Sequence, residues 1–219
     1  MLKRTIPQLA IVFLLVASAR IVSAQDSLPD LVRQIKPSVV SVLTYDAKDQ
    51  PLISGTGFFV GSGQVVTNFH VIHGAHRVEI HTLDGKGRTY PVNGALALDE
   101  EGDLALLSVD LPAERSRPLT LSASLPEDGE KVFLIGNPLR LEGSVSDGIV
   151  SAVREVPSVG KIIQITAPVS HGNSGSPLLN MRGQVRWFLF QSCGHSWTWL
   201  GRCESPDFLE AGARCMELV

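Results

Sequence analysis

Three short segments carry residue types that could do chemistry together. In Val66-Thr67-Asn68-Phe69-His70-Val71-Ile72 an apolar strand pattern runs into His70. In Glu101-Gly102-Asp103-Leu104-Ala105-Leu106-Leu107 a carboxylate leads a very apolar run. In Ser170-His171-Gly172-Asn173-Ser174-Gly175-Ser176-Pro177 a serine sits in a tight glycine-rich loop. A serine hydroxyl attacks a carbonyl only when a base takes its proton. Imidazole, which titrates near neutrality, suits that task. A carboxylate holds the ring in one tautomer and stabilises its charged form. The tetrahedral intermediate needs backbone N–H donors beside the serine. Gly172 and Gly175 allow the backbone angles such a loop requires, and the N–H groups of Gly172 and Ser174 are the natural donors. The chemistry indicated is acyl transfer.

Each segment alone is ordinary: a turn aspartate before a strand, a histidine at a strand end, a turn serine. Their order and spacing are more specific. His70 precedes Asp103 by 33 residues, and Asp103 precedes Ser174 by 71. That puts the histidine and the aspartate in one set of strands and the serine in a second. An esterase of the α/β-hydrolase type would need the serine first and a Gly-x-Ser-x-Gly elbow. Here the order is reversed, and Ser176 stands where the second glycine belongs.

The elements that must position these residues are mostly strands. A short helix is expected over Ser27–Lys36, with Ser27 as its cap, Pro29 and Asp30 in its first turn, and Pro37 as its stop. Strands are expected over Ser38–Tyr45, Gly55–Val60, Gln64–Thr67, Val78–Thr82, Tyr90–Ala97 and Leu104–Val109. After a proline-bearing connector, Leu111–Leu125, come Lys131–Ile135, Ser144–Val153, Lys161–Ile165 and Pro177–Leu179. Short strands at regular spacing indicate an all-β sandwich or barrel.

Here the chain resembles the trypsin-like serine proteases, and among them the bacterial HtrA/DegP type. The resemblance rests on Lys36-Pro37-Ser38-Val39-Val40, Gly55-Thr56-Gly57-Phe58-Phe59-Val60, Thr67-Asn68-Phe69-His70-Val71, Gly102-Asp103-Leu104-Ala105-Leu106-Leu107, Ile135-Gly136-Asn137-Pro138 and Gly172-Asn173-Ser174-Gly175-Ser176-Pro177, all in order between about Leu28 and Val185. It implies two perpendicular six-stranded antiparallel β-barrels. By matching positions it implies His70 as general base, Asp103 as its orienting carboxylate and Ser174 as nucleophile. The implied activity is endopeptidase hydrolysis of a polypeptide substrate through an acyl-enzyme, with no metal and no cofactor. His171 departs from the pattern, since the family usually has proline there. Its nearness in sequence to Ser174 argues against it as the base. The PDZ domain that such proteases usually carry has no room in this sequence.

Residues 1–24 read as a secretory signal: a basic start at Lys3 and Arg4, an apolar run from Leu9 to Ala19, and Val22-Ser23-Ala24 before Gln25. The run is too short to span a bilayer comfortably, so the expectation is export to the periplasm or the extracellular space, with no stable membrane span once the signal is removed. Nineteen basic and 22 acidic residues leave a net charge of −3, which gives no indication of a nucleic-acid partner.

The protease domain is expected over residues 25–185, with the first barrel at about 37–110 and the second at about 126–185. Beyond it the composition changes. All three tryptophans and all three cysteines (Cys193, Cys203, Cys215) fall in the last 34 residues. An odd number of cysteines cannot fully pair within one chain, and no metal-site spacing is present. Read from about Arg186 onward in a shifted frame, the same nucleotides can continue a family-like strand. The alternative is a genuine, divergent tail. Loss of the strands expected there would leave the second barrel incomplete. That favours the competing reading of the chain as a catalytically impaired binding module.

Overall fold

The computed structural model describes residues 27–83, 85, 87–137, 141–156, 160–188 and 199–200. The expected signal and the three cysteines lie outside the described residues. Helix α1 (Leu28–Ile35) leads through a 3-10 turn at Lys36–Ser38 into β1 (Val39–Tyr45). Then follow β2 (Pro51–Gly61), β3 (Gln64–Thr67), a single helical turn α2 (Phe69–Ile72), β4 (Arg77–Thr82), β5 (Thr89–Asp99) and β6 (Leu104–Val109). These six strands close into an antiparallel barrel in the order β1-β2-β3-β6-β5-β4. After the connector come β7 (Lys131–Gly136), β8 (Ser144–Val156), β9 (Gly160–Ile165), β10 (Pro177–Asn180), β11 (Val185–Phe188) and β12 (Trp199–Leu200). They form one open sheet in the order β11-β10-β7-β8-β9-β12. The fold is therefore all-β, with a closed first barrel and an incomplete second one.

The apolar runs of the sequence explain how the two halves join. In a strand, successive side chains point to opposite faces, so an uninterrupted apolar run marks a strand buried on both. On β6, Ala105, Leu107 and Val109 point into the first barrel with Val40, Val42, Phe59, Val65 and Ile80. Leu104 and Leu106 point the other way, into a second cluster with Phe58, Val66, Phe133, Ile135 and Leu179. Strand β7 repeats the device, since Val132 and Leu134 face a third cluster with Val150, Ile163, Leu178 and Trp187. The middle cluster is thus shared by both sheets. Helix α1 lays Leu31 and Ile35 on it.

Several local expectations are corrected. Ser27 occupies the N-cap position but makes no side-chain cap bond. Its hydroxyl donates instead to the Asp30 carboxylate. That bond holds the Asp30 carboxyl below its ordinary range, opposed by desolvation and aided by Arg33. Strand β2 begins at Pro51 rather than Gly55, because Pro51 and Ser54 pair with Tyr45 and Leu43 on an exposed stretch that apolar patterning does not mark. His81 bonds through Nδ1 to Glu142 at 2.8 Å.

The strand pattern, expected to end at Val185, continues to Phe188. Trp187 pairs with Leu178 and is buried. Arg186 is buried too, and its guanidinium is almost fully used. It donates to Ser122 Oγ (2.6 Å), Ser124 Oγ (2.8 Å), the Leu125 carbonyl (2.7 Å) and Glu130 Oε2 (3.0 Å). It ties β11 to the segment entering the second sheet. Removing one partner of a buried charged pair leaves the other uncompensated. Arg186→Met is expected to cost about 3 kcal/mol. In a thermal melt that corresponds to a fall of roughly 6–12 °C; an unchanged melting temperature would show that the bonds contribute nothing.

Candidate active site

The site is built where the first barrel meets the loop Gly172–Ser176. Strand β3 ends at Thr67 and the chain turns at once into α2, which carries His70. Asn68 caps this turn with extended backbone, and its fully buried side chain donates from Nδ2 to the Asp103 carbonyl at 2.9 Å. The same carbonyl accepts the Phe69 N–H at 3.1 Å. The turn bearing the histidine is thus stitched to the turn bearing the aspartate by backbone as well as side chain.

Asp103 holds φ +52°, a left-handed conformation that aspartate tolerates better than most residues. The preceding Gly102 N–H is held by Asp99 Oδ1 at 2.8 Å. In this pose the carboxylate is buried and both its oxygens face His70. Oδ1 accepts the His70 backbone N–H at 2.8 Å, and Oδ2 lies 2.7 Å from His70 Nδ1. Against a carboxylate acceptor, Nδ1 carries the proton, which leaves the Nε2 lone pair as the basic position.

Ser174 is buried, at 5% exposure. Its loop is shaped by Gly172 (φ +94°) and Gly175 (φ +83°), two positions where other residues would be strained. The Ser174 carbonyl accepts the Thr56 N–H from β2 at 2.8 Å. Gly55 is what lets the turn bearing His70 and the loop bearing Ser174 both approach β2. A Cβ there would lie 2.8 Å from the methyls of Val71, next to His70, and 3.2 Å from the Ser174 carbonyl. The backbone of β2 is therefore the floor on which the histidine turn and the serine loop both rest. His171 is exposed in the same loop.

Sequence reasoning left two contributors unassigned: Asn68, the lock on the Asp103 turn, and Thr56, whose hydroxyl reaches the Gly172 carbonyl at 2.7 Å. Both stand inside quoted motifs, and a polar residue within an apolar strand run was the available signal.

Residues 55–186 match the trypsin-like peptidase domain family. The chain belongs to that family. Its curated relatives include serine protease HTRA1A of Danio rerio, 33% identical over an alignment of 169 residues that covers 71% of this chain and 35% of that protein. Another is a probable periplasmic serine endoprotease, DegP-like, of Chlamydia trachomatis, 37% identical over 139 residues, 61% of this chain and 27% of that one. The chain spans about a third of the length of the curated relatives it matches. Among solved structures, a serine endoprotease from Yersinia pestis superposes with a TM-score of 0.70 at 26% identity, covering 88% of this chain and 66% of that one. The active form of the Rv3671c protease of M. tuberculosis shares the fold, with a TM-score of 0.71 at 22% identity over 84% of this chain and 82% of that one.

The seam has no room for a side chain at Gly175. A Cβ would lie 2.0 Å from the Thr56 carbonyl and 2.7 Å from Thr67 Oγ1. Gly175→Ala is expected to destabilise the fold by roughly 2–4 kcal/mol, the sum of left-handed strain and overpacking. Chemical denaturation measures this, and a wild-type midpoint would refute the contact.

Proposed function

We propose that this chain is an exported serine endopeptidase that hydrolyses polypeptides, with His70 as general base, Asp103 as its orienting carboxylate and Ser174 as nucleophile. The observation that carries the proposal is the Asp103 carboxylate, with one oxygen on the His70 backbone N–H and the other on Nδ1. That pairing holds the ring, its tautomer and its imidazolium form at once.

The steps follow from those positions. His70 Nε2 takes the Ser174 hydroxyl proton as Oγ bonds to the scissile carbonyl carbon. The C=O pair moves onto oxygen, and the N–H groups of Gly172 and Ser174 stabilise that oxyanion. Collapse expels the amine, which receives the proton from His70, and leaves an acyl ester on Ser174. Water then repeats the sequence, giving its proton to His70 and releasing the carboxylic acid with Ser174 restored.

The catalytic unit is proposed to be residues 25–185. Residues 1–24 would direct export to the periplasm or the extracellular space, and the segment from about residue 186 would be read in a shifted frame. Support for the first comes from the basic start and short apolar run; support for the second comes from the three cysteines with Trp197 and Trp199, and from a family match ending at residue 186, while Arg186 and Trp187, buried in β11, would lie before the shift. Peptide mass spectrometry of the protein from its natural source tests both. A mature start at Gln25 and peptides of the alternate frame are expected. Peptides spanning Arg186–Val219 in the present sequence would overturn the shifted frame, and an intact Met1–Ala24 would overturn export by signal cleavage.

A fluorophosphonate probe tests the mechanism and separates it from the impaired binding module. Labelling is expected in the wild type and absent in Ser174→Ala. Asp103→Asn is expected to lower kcat by about 10⁴-fold, because the ring loses its tautomer. Folded wild-type protein that takes no label would sink the proposal.

A further inference from the structure

The Thr56 side chain has a geometry that the triad alone does not require. Thr56 lies in β2 and is fully buried. Its hydroxyl has one proton to give and two lone pairs. Gly172 presents a carbonyl oxygen at 2.7 Å, which can only accept. Asn137 presents its backbone N–H at 3.1 Å and its Nδ2 at 3.4 Å, which can only donate. Asn137 Oδ1 accepts the Gly143 N–H at 2.9 Å, which fixes which end of the amide faces Thr56. The direction of every bond at this hydroxyl is therefore set without ambiguity: Thr56 donates to Gly172.

That bond completes a series. The Gly172 carbonyl is held by the Thr56 hydroxyl, the Asn173 carbonyl by the Ser176 N–H (2.9 Å), and the Ser174 carbonyl by the Thr56 N–H (2.8 Å). Peptide units are planar and trans, so each N–H points opposite to the carbonyl of its own unit. Holding the Asn173 carbonyl aims the Ser174 N–H. Holding the Gly172 carbonyl, with the Asn173 N–H on the Ser170 carbonyl at 3.1 Å, fixes the next plane. The Gly172 N–H belongs to the preceding peptide unit and is related to that plane by the glycine's two torsions, of which φ is +94°. Glycine tolerates many values of both torsions, so a clamp that fixes the plane on one side of it removes one source of freedom in how this N–H is aimed.

We propose that Thr56 is a positioning residue for the oxyanion-binding N–H groups, its hydroxyl locking the Gly172–Asn173 peptide from the first barrel while its N–H locks the peptide after Ser174. The inference rests on the serine-peptidase reading. Thr56 touches no substrate atom. Its effect is on how well the developing oxyanion is bound, and it belongs to the transition state rather than to ground-state binding.

The test compares Thr56→Val, which keeps shape and N–H but removes the hydroxyl, with Thr56→Ser, which keeps the hydroxyl and removes the methyl. Thr56→Val is expected to lower kcat on a peptide substrate about 10–100-fold, short of the loss of a whole oxyanion donor, with KM changed less than about twofold. A peptide aldehyde, whose tetrahedral adduct needs the oxyanion donors, should weaken by the same factor, while a non-covalent product peptide should bind as before. Thr56→Ser is expected to keep kcat within about threefold of wild type. If Thr56→Val does not fold, Thr56→Ala is read the same way. Wild-type kcat in the hydroxyl-free variant, equal losses in the valine and serine variants, or equal weakening of aldehyde and product peptide would each overturn the proposal. Should the wild type itself show no Ser174-dependent labelling, it is the peptidase reading that fails.

Discussion

The structure depends on how closely the backbone of β2 approaches the serine loop. Two main-chain segments from different sheets run against each other at Thr56 and Gly175, with no side chain between them. Such proximity buries N–H and C=O groups that water can no longer reach, and each must find a partner within the protein. The seam answers this with backbone bonds where the geometry permits, at Thr56 N–H to the Ser174 carbonyl, and with hydroxyls elsewhere. Thr67 Oγ1 donates to the Thr56 carbonyl at 2.7 Å, and Thr56 Oγ1 to the Gly172 carbonyl. Threonine is suited to both positions, because its branched carbon packs on a strand while its hydroxyl serves the neighbouring chain.

The same constraint reaches the other glycine positions. A Cβ on Gly136, at the end of β7, would lie 2.3 Å from Ser176 Oγ and 2.4 Å from Asn173 Oδ1. The loop is thus pressed between β2 on one side and β7 on the other. A loop held on two faces by rigid strands keeps its backbone pose without help from the substrate. That is the condition for preorganised electrostatic stabilisation. The two halves are not equal partners in this. His70 and Asp103 hang from the closed barrel, where every strand has two neighbours. Ser174 hangs from a sheet whose outermost strands are β11 and β12.

What the sequence disclosed follows this division. The apolar runs Leu104–Leu107 and Val132–Ile135 reported burial on both faces, and so marked the strands at the junction. The glycines around Ser174 reported backbone that could not be ordinary strand or helix. Asp103 was harder to read, because Gly-Asp before a strand is also a common solvated turn. Its inward orientation becomes visible only in the fold, where the left-handed pose and the Asn68 bond turn the carboxylate toward His70. Thr56 was legible as part of a motif but not in function, since its partners Asn137 and Gly172 lie 81 and 116 residues away. The outer half of β2 escaped notice because its side chains are exposed and carry no alternation. The strand pattern fades in the sequence after Val185, yet Arg186 and Trp187 are buried there by partners that only the fold supplies.

Arg186 shows why the second sheet holds together without closing. A sheet with open edges loses the mutual support that a closed barrel provides. Here one edge strand is fixed by a buried guanidinium that spans Ser122, Ser124, Leu125 and Glu130, all on the connector side of β7. The connector also pairs directly with β11, through the Val185 N–H on the Thr120 carbonyl and the Ser122 N–H on the Val185 carbonyl, both at 2.9 Å. Leu119 N–H in turn bonds the Phe59 carbonyl of β2 at 2.8 Å. The segment between the barrels is therefore a strap that leaves β2, crosses to β11 and is stapled there. It ties the edge of the open sheet to the strand on which the serine loop rests. The loop's geometry is set by β2, and the strap holds the open sheet in register with β2 as well.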